Sequence, residues 1–565
     1  MIAELSPGLI VIFGALLIPL VPQTGQLRNI YMMALPILGA LQMLTHGHGD
    51  FAQVQVFDYT LTLFRLDRLS FLFGLVFHMA ALLGVIFALH IRDTVQQVAG
   101  LVYAGAGIGA IFVGDMISLF VFWELSALGS VFLIWSSRSE RAFAAGMRYL
   151  IIQVGSGVIL LAGVIIYAQQ RGSIHFGHLG LVDLPTTLIF IAFGIKCAFP
   201  LLHNWLQDAY PEGTVTGTVM LSAFTTKLAV YALARGYAGT EILIYIGAVM
   251  TAFPVFFAVI ENDLRRVLAY SLNNQLGFMV VGIGVGTELA LNGTAAHAFA
   301  HILYKALLFM SMGAVLFRTG TCKASELGGL HKSMPWTTGF CIVGAASISA
   351  FPLFSGFISK ALILTATAGE GYWGVWLVLV FASAGVLEHS GIKIPYFAFY
   401  AHDSGIRVKE APGNMLLAMG ITAFLCIFIG VFPGTLYAIL PYPVDFSPYT
   451  FAHVITQLQL LLFAMLAFAL LIRTGLYPDE MRSTVLNTDW IYRRALPRII
   501  CWLMSFGTKL RDGVVFRNQR RLERLLAAVF RTHGPQGILA RTLPPGTTTL
   551  WVAILLGFTL ILYYI

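Results

Sequence analysis

Residues 184–206 read Leu-Pro-Thr-Thr-Leu-Ile-Phe-Ile-Ala-Phe-Gly-Ile-Lys-Cys-Ala-Phe-Pro-Leu-Leu-His-Asn-Trp-Leu. The run is long and apolar enough to cross a hydrocarbon core of about 30 Å as a helix. Yet it holds a lysine, Lys196, and a proline, Pro200, four residues on. An ammonium at mid-bilayer costs roughly 3 kcal/mol on insertion scales, and a proline inside a helix removes a backbone donor and clashes with the preceding turn. The stretch therefore predicts a broken membrane helix whose charge needs a partner, water or a task.

Apolar runs of this kind recur along the whole chain. Candidate spans fall at about 7–22, 28–46, 67–91, 97–113, 115–136, 142–168, 184–206, 213–236, 240–260, 266–286, 289–318, 336–369, 373–400, 413–438, 450–474 and 548–565, sixteen in all. Of the 565 residues 58% are hydrophobic and 11% charged, against roughly 25% charged in soluble domains. Mean hydropathy is +0.83. A soluble enzyme is excluded, and so is a disordered chain, because 13% aromatics would collapse in water. Strand-like alternation is absent from the long runs, so the spans must satisfy their backbone as helices. The expected fold class is an all-α polytopic membrane protein of about 16 transmembrane helices. The first run lacks a basic leader and a small-residue cleavage site, and reads as a retained span. Residues 47–66, with alternating Val54, Val56 and Tyr59, read as a small hairpin outside the bilayer.

The five cysteines, Cys197, Cys322, Cys341, Cys426 and Cys501, form no C-x-x-C pair and suggest no iron–sulfur, zinc or disulfide framework. Gly105-Ala106-Gly107-Ile108-Gly109 lies inside an apolar run and reads as close helix packing, not a nucleotide loop. No cofactor is expected. Any redox chemistry would belong to another subunit.

Placing the N-terminus outside puts Arg92, Arg138, Arg141, Arg265, Arg266, Lys323, Lys332, Arg407 and Lys409 in cytoplasmic loops. The opposite side keeps Arg65, Arg68, Arg171 and Arg235. The bias of basic loops toward the cytoplasm favours that orientation. Residues 471–545 carry thirteen Lys or Arg against five Asp or Glu, a net charge of +8 that equals that of the whole chain. There Leu522, Leu525, Leu526, Val529 and Phe530 interleave with Arg520, Arg521, Arg524 and Arg531 at helical spacing. Over 490–531 one helix or two, bent near Pro497 and Gly507, should lie along the cytoplasmic surface, on anionic lipid or against a neighbouring subunit. Nucleic acid is not an expected partner, since the segment sits between membrane spans.

The informative residues are ionisable groups deep in apolar runs: Glu124, Lys196, Lys227, Lys305, Lys360, and the histidines His297 and His301. The two histidines and Lys305 form an i, i+4, i+8 stripe on one helix face. A single Glu–Lys pair could merely tie two helices together. Here lysines outnumber carboxylates, so pairing cannot neutralise them all. Burial disfavours the charged form of a lysine, and histidine titrates near neutrality. A file of such groups meets the requirements of a proton path. A metal site at His297 and His301 lacks a third ligand nearby in sequence. Ala198-Phe199-Pro200-Leu201 recurs as Ala350-Phe351-Pro352-Leu353 five spans later. Five is odd, so the two copies have opposite orientation, and proline-interrupted helices at matching places in inverted repeats point to a transport site. Pro200 and Pro352 mark the expected breaks.

At these residues the sequence resembles the proton-translocating subunits shared by Mrp-type cation/proton antiporters and the membrane arm of respiratory complex I. The resemblance covers about residues 60–440. It rests on Trp123-Glu124, on Ile-Lys-x-x-x-Pro-Leu-x-x-x-Trp-Leu-x-Asp-Ala-Tyr at 195–210, on Thr-Lys-x-x-Val-Tyr-Ala-Leu at 226–233, on His-x-x-x-His-x-x-x-Lys at 297–305, and on Gly-Phe-x-x-Lys at 356–360. Residues 226–235 and Arg148-Tyr149-Leu150 resemble the D-type component of the Mrp antiporter; the C-terminal part is similar to the largest antiporter-like subunit of complex I. The resemblance implies a core of about 14 helices with two inverted five-helix repeats. It implies that Glu124 pairs with Lys196, Lys227 joins two half-channels, His297 and His301 relay through the centre with Lys305 beside them, and Lys360 is the terminal carrier. His203 and Asp208 are accessory candidates. Gln207 departs from the family's usual proline, and 211–215 from a proline-richer turn. Glu388, His389 and Lys393 add charges in the span at 373–400, where a private ion route and a subunit contact would each fit.

The expected organisation is N-terminal spans with the hairpin (1–96), a first inverted repeat (97–236), a second (240–400), C-terminal core spans (401–474), a basic surface segment (475–547) and a last span (548–565). The expected function is translocation of H+, with Na+ as counter-ion in the antiport variant, by a non-catalytic subunit of a multisubunit complex in a bacterial inner membrane. A proton-pumping arm of a quinone or hydrogenase-like oxidoreductase, and a coupling subunit for inorganic-carbon uptake, are the alternatives.

Overall fold

The computed structural model describes residues 5–23, 26–476, 485, 487, 488, 490–542 and 544–565. Of the expected surface segment, residues 477–484, 486, 489 and 543 lie outside them. The chain divides into two units, Met1–Val485 and Leu486–Ile565.

The first unit opens with α1 (Pro7–Leu16) and α2 (Leu27–Leu44), then the antiparallel strands β1 (Gly49–Val56) and β2 (Tyr59–Leu66), which pair Gly49 with Leu66 and Val56 with Tyr59. There follow α3 (Arg68–Ala88), α4 (Thr94–Phe112), α5 (Met116–Trp135), α6 (Glu140–Arg171), α7 (Leu184–Cys197), α8 (Asn204–Ala209), α9 (Val215–Ala223), α10 (Thr225–Gly236), α11 (Ile242–Ile260), α12 (Leu264–Val285) and α13 (Glu288–Thr319). The unit continues with α14 (Pro335–Ile348), α15 (Ser355–Gly369), α16 (Trp373–Val386), the single turn α17 (Lys393–Pro395), α18 (Gly413–Val431), α19 (Pro433–Tyr437) and α20 (Phe451–Arg473).

The protein is a multi-pass integral membrane protein. Among the described residues twelve helices are long and apolar enough to cross a bilayer. The other four expected spans are helical but fall short for physical reasons. α1 and α7 are short. The run 336–369 is divided between α14 and α15 by a break. α12 has the length, but Arg265, Arg266, Asn273, Asn274 and Gln275 dilute its apolar character. The helices are patterned inside out relative to a soluble protein. Along α6, Phe143, Met147, Ile151, Val158 and Ile165 are exposed, whereas Ala142, Gly146, Tyr149, Gln153, Ser156 and Gly157 face inward. Small residues inside allow close helix contact, and lipid takes the bulky apolar face.

Polar contacts sort the helix ends into two layers. In one, Gln23 donates to Thr94, Arg138 pairs with Asp93 at 2.9 Å, Arg141 with Glu212, Arg265 donates to the Gly213 carbonyl, Arg318 to the Glu410 carbonyl, and Lys332 and Arg407 share Asp403 at 2.7 Å. In the other, Asp115 accepts from the Thr62 N–H, Arg65 donates to the Phe176 carbonyl, Arg235 pairs with Asp67 at 2.7 Å and Arg171 with Asp183 at 2.6 Å. The first layer holds most of the basic loop residues. At its exposed corner, the Arg407 and Lys332 hydrogen bonds hold the Asp403 carboxyl well below the usual carboxylate range. Aspartates at N-caps, among them Asp67, Asp93, Asp115, Asp183 and Asp263, satisfy orphan amides at both layers.

α13 is the central helix, packed against α3, α9, α12, α14, α15 and α18, with His297, His301 and Lys305 fully buried on it.

The second unit contains α21 (Leu496–His533), preceded by a π-helical turn at Ile491–Ala495, and α22 (Pro545–Tyr564). α21 is one continuous helix of 38 residues, about 57 Å at 1.5 Å per residue. Of the one or two helices expected over 490–531, one runs through Gly507, after the π-helical turn at Ile491–Ala495. Pro497 sits in the first turn, where its missing N–H has no helical partner to lose, and Gly507 lies inside the helix without interrupting it.

Candidate functional site

The two Ala-Phe-Pro-Leu copies adopt the same backbone. Ala198 and Leu201 have φ of 64° and 69°, and Ala350 and Leu353 have φ of 57° and 75°. In the first copy the Ala198 and Phe199 amides donate to the Ile195 and Gly194 carbonyls. In the second, Ala350 and Phe351 donate to Ser347 and Ala346. Four non-glycine residues in the left-handed region, each unfavourable by about 1 kcal/mol or more, recur at matching positions of two helices. The breaks end α7 at Cys197 and α14 at Ile348.

Lys196 lies in the last turn of α7, fully buried. Its Nζ donates to the Trp123 carbonyl at 2.8 Å and the Ser126 hydroxyl at 2.9 Å, and stands 4.2 Å over the Trp123 ring. Glu124 is the next residue after Trp123, yet its carboxylate is not within ion-pair distance of Lys196 in this conformation. Its Oε1 is buried against α6, without a hydrogen-bond partner among the described residues. A Cβ at Gly157 would collide with that oxygen, so the glycine makes room for the carboxylate. In this conformation Lys196 contacts Trp123 and Ser126 of α5, the helix that carries Glu124, and the Glu124 carboxylate turns toward Gly157 of α6.

A second interruption separates α9 from α10 at Phe224. The Thr225 N–H turns out to the Tyr103 hydroxyl at 2.9 Å, and Lys227 Nζ donates to the Ser222 carbonyl at 2.6 Å and to the Thr226 hydroxyl. Tyr103 and Tyr149 also converge on Thr225 Oγ1, and Tyr149 contacts Ser130 at 2.8 Å. On α13, His297 Nδ1 contacts Ser359 Oγ at 2.9 Å, and its Nε2 shares Gln275 Oε1 with the Tyr304 hydroxyl. Gln275 continues to Asn274 and from there to the Thr251 carbonyl, both at 2.5 Å. His301 stands 6.1 Å from His297 between ring centroids and edge-on to Tyr304 at 5.3 Å. Neither His301 ring nitrogen nor Lys305 Nζ has a hydrogen-bond partner among the described residues. Lys360, in α15, donates to the Ile348 carbonyl at 2.9 Å and lies 5.0 Å from the Phe278 ring.

The structure thus brings Lys227, His297, His301, Lys305 and Lys360 together around α13 and places Lys196 with Glu124 at the other break. The accessory candidates divide. Asp208 is held by a bidentate contact from Arg148, at 2.6 and 3.0 Å, and His203 packs on Phe253. Lys393 donates to the Val259 and Glu261 carbonyls at the end of α11. Sequence reading missed Gln275, Asn274, Tyr304 and Ser359 around His297, and Tyr103, Tyr149 and Thr225 around the Phe224 interruption. Asn273-Asn274-Gln275 inside an apolar run was the available signal for the first group.

Residues 113–386 match the family model described as NADH:quinone oxidoreductase/Mrp antiporter, transmembrane. The D-type component of the Na(+)/H(+) antiporter of Alkalihalophilus pseudofirmus is 30% identical over 346 residues, which is 57% of this chain and 69% of that protein. The chain belongs to this family. Hydrogenase-4 component B of Escherichia coli is 26% identical over 426 residues, 66% of this chain and 63% of that protein. The chain thus spans about two thirds of the length of these relatives. Among solved structures, a chain of the membrane-bound sulfane sulfur reductase, an archaeal respiratory membrane complex, superposes with a TM-score of 0.71 at 20% identity, covering 99% of both chains. At that identity the likeness is one of fold.

Proposed function

We propose that this chain conducts protons across a bacterial inner membrane as one subunit of a multisubunit cation/proton antiporter, with other membrane subunits as partners. The observation that carries the reading is the nature of the lysine contacts. Lys196, Lys227 and Lys360 each donate to a backbone carbonyl, Lys305 has no partner among the described residues, and none of the four is in an ion pair among them. A structural tie would match each ammonium with a carboxylate, because breaking a buried pair strands a charge. A neutral carbonyl can accept from –NH3+ and, more weakly, from –NH2, so the lysine can release and regain its proton without leaving an anion behind.

In this reading the segments 97–236 and 240–400 are inverted half-channels. Glu124 tunes Lys196. Lys227 hands the proton to His301, His297 and Lys305 relay it, and Lys360 delivers it. Helix breaks beside Lys196 and Lys360 admit water at mid-membrane depth. The basic-loop layer faces the cytoplasm, and the arginines of 490–531 contact anionic lipid.

The test is antiport in inside-out vesicles that contain the assembled complex. Sodium added to vesicles holding an imposed pH gradient should collapse it, and vesicles with Lys360→Ala should hold it. A second reading makes the chain a proton-pumping arm of a redox-driven complex. It is favoured by the extent of the fold match, which runs over 99% of the chain for the sulfane sulfur reductase and 80% for an Mrp complex. Proton movement that needs an electron donor and ignores sodium would select it.

A further inference from the structure

The backbone of α16 does not continue as an α-helix. Leu387–Ile392 and Tyr396–Tyr400 are π-helical on either side of the single turn α17, and π segments concentrate at functional sites. The family match stops at residue 386, two residues before Glu388 and three before His389. His389 is fully buried. Its Nδ1 contacts Ser390 Oγ at 2.8 Å, Ser390 Oγ donates to Ser271 Oγ at 2.8 Å, and its Nε2 is buried with no hydrogen-bond partner among the described residues.

Two further contacts place this cluster. The Gly391 backbone packs so closely on Ser349 that a Cβ would collide with the serine hydroxyl, which seats the π segment on the break between α14 and α15. Lys360 is anchored at that break through the Ile348 carbonyl. In the other direction, Ser271 is seven residues, roughly 10 Å, from the start of α12 in the basic-loop layer. Lys393 reaches the Val259 and Glu261 carbonyls of that same layer. Glu388, half-buried, stands beside His389.

We propose that Glu388 and His389 form a branch of the proton path that connects the Lys305–Lys360 cluster to the side of the membrane bearing the basic loops. It rests on the reading of the buried lysines as proton carriers. Protons pass from water at that face to the Glu388 carboxylate and the His389 imidazole, and from His389 to the lysine cluster. No bond other than those to the transferred proton forms or breaks.

The experiment uses the whole complex in liposomes, with proton flux driven by an imposed potential. His389→Asn and Glu388→Gln should each lower flux at least tenfold with assembly intact, and Glu388→Asp should keep more than half of it. In a Cys501→Ser background, Glu388→Cys should react with a membrane-impermeant cationic thiol reagent added at the basic-loop face. Unchanged flux in both His389→Asn and Glu388→Gln overturns the branch, as does loss of assembly in place of loss of flux, which would make Glu388 a subunit contact. Absence of labelling from the basic-loop face also overturns it. Lys360→Ala keeps the two claims apart: if that variant conducts normally, the underlying proton path fails; if it alone is inactive, only the branch fails.

Discussion

Lys360 donates to the carbonyl of Ile348 across the break that divides α14 from α15. Lys227 makes the same kind of contact with Ser222 across the interruption at Phe224. Each lysine thus fills a carbonyl at an interruption of the helical backbone, and a change in its protonation changes what the break must satisfy. This couples charge to backbone at two points of the file.

Glu124→Gln keeps the shape of the side chain but removes its charge. Proton flux in reconstituted complex should fall about tenfold, equivalent to ~1.4 kcal/mol, with assembly unchanged. Lys196→Ala should be at least as damaging. Lys196→Arg should also fail, because a guanidinium stays protonated. Normal flux in Glu124→Gln vesicles would remove the carboxylate from the mechanism.

Gly157→Ala adds a methyl where the Glu124 carboxylate lies. The carboxylate must move, so flux should fall as it does in Glu124→Gln. Gly155→Ala, on the same helix with open space around the added atom, is the control and should conduct normally. Equal flux in the two variants would show that the position of the carboxylate is unimportant.

Ala198 and Ala350 occupy left-handed backbone, where glycine is relieved of about 1–2 kcal/mol of steric cost but loses more freedom on folding. Ala350→Gly should hold or raise the melting temperature of the complex in detergent. Ala350→Val, whose β-branch suits that region worse than alanine, should lower stability by roughly 1–3 kcal/mol. Identical melting of both variants would argue that the break relaxes freely.

A peptide spanning 490–533 should partition onto vesicles containing phosphatidylglycerol and far less onto neutral ones. Arg517, Arg520, Arg521 and Arg524 are each expected to add about 1 kcal/mol near an anionic surface, and raised salt should weaken binding as the Debye length shortens. Salt-independent binding would assign the helix to a protein neighbour.

Much of this architecture is legible in the chain because membrane helices are written in long apolar runs and their breaks in proline. The repeated Ala-Phe-Pro-Leu marks both breaks at the correct residues. The interruption at Phe224 is different: no proline or glycine lies within 213–236 near it, apart from Gly213 and Gly217 at the start of α9 and Gly236 at the far end of α10. Tertiary hydrogen bonding from Tyr103 to the Thr225 amide holds it, and such a contact leaves no local signature. The π segments around Glu388 do carry local marks, Gly391 and Pro395, but a glycine and a proline in an apolar run do not by themselves tell a π turn from a kink. Gly507, conversely, does not interrupt α21, because one glycine costs a long helix only about 1 kcal/mol. Charges in apolar runs single out lysines and histidines, whereas the serines, tyrosines and amides that connect them look like ordinary packing until the helices are assembled.

Lys227 is the point where the two halves of the proposed path meet, so its removal tests the account most directly. The measurement is potential-driven proton flux through the assembled complex in liposomes, with Lys227→Ala compared with the unaltered protein. The account predicts a loss of at least tenfold with subunit composition unchanged. Flux equal to that of the unaltered complex would contradict it.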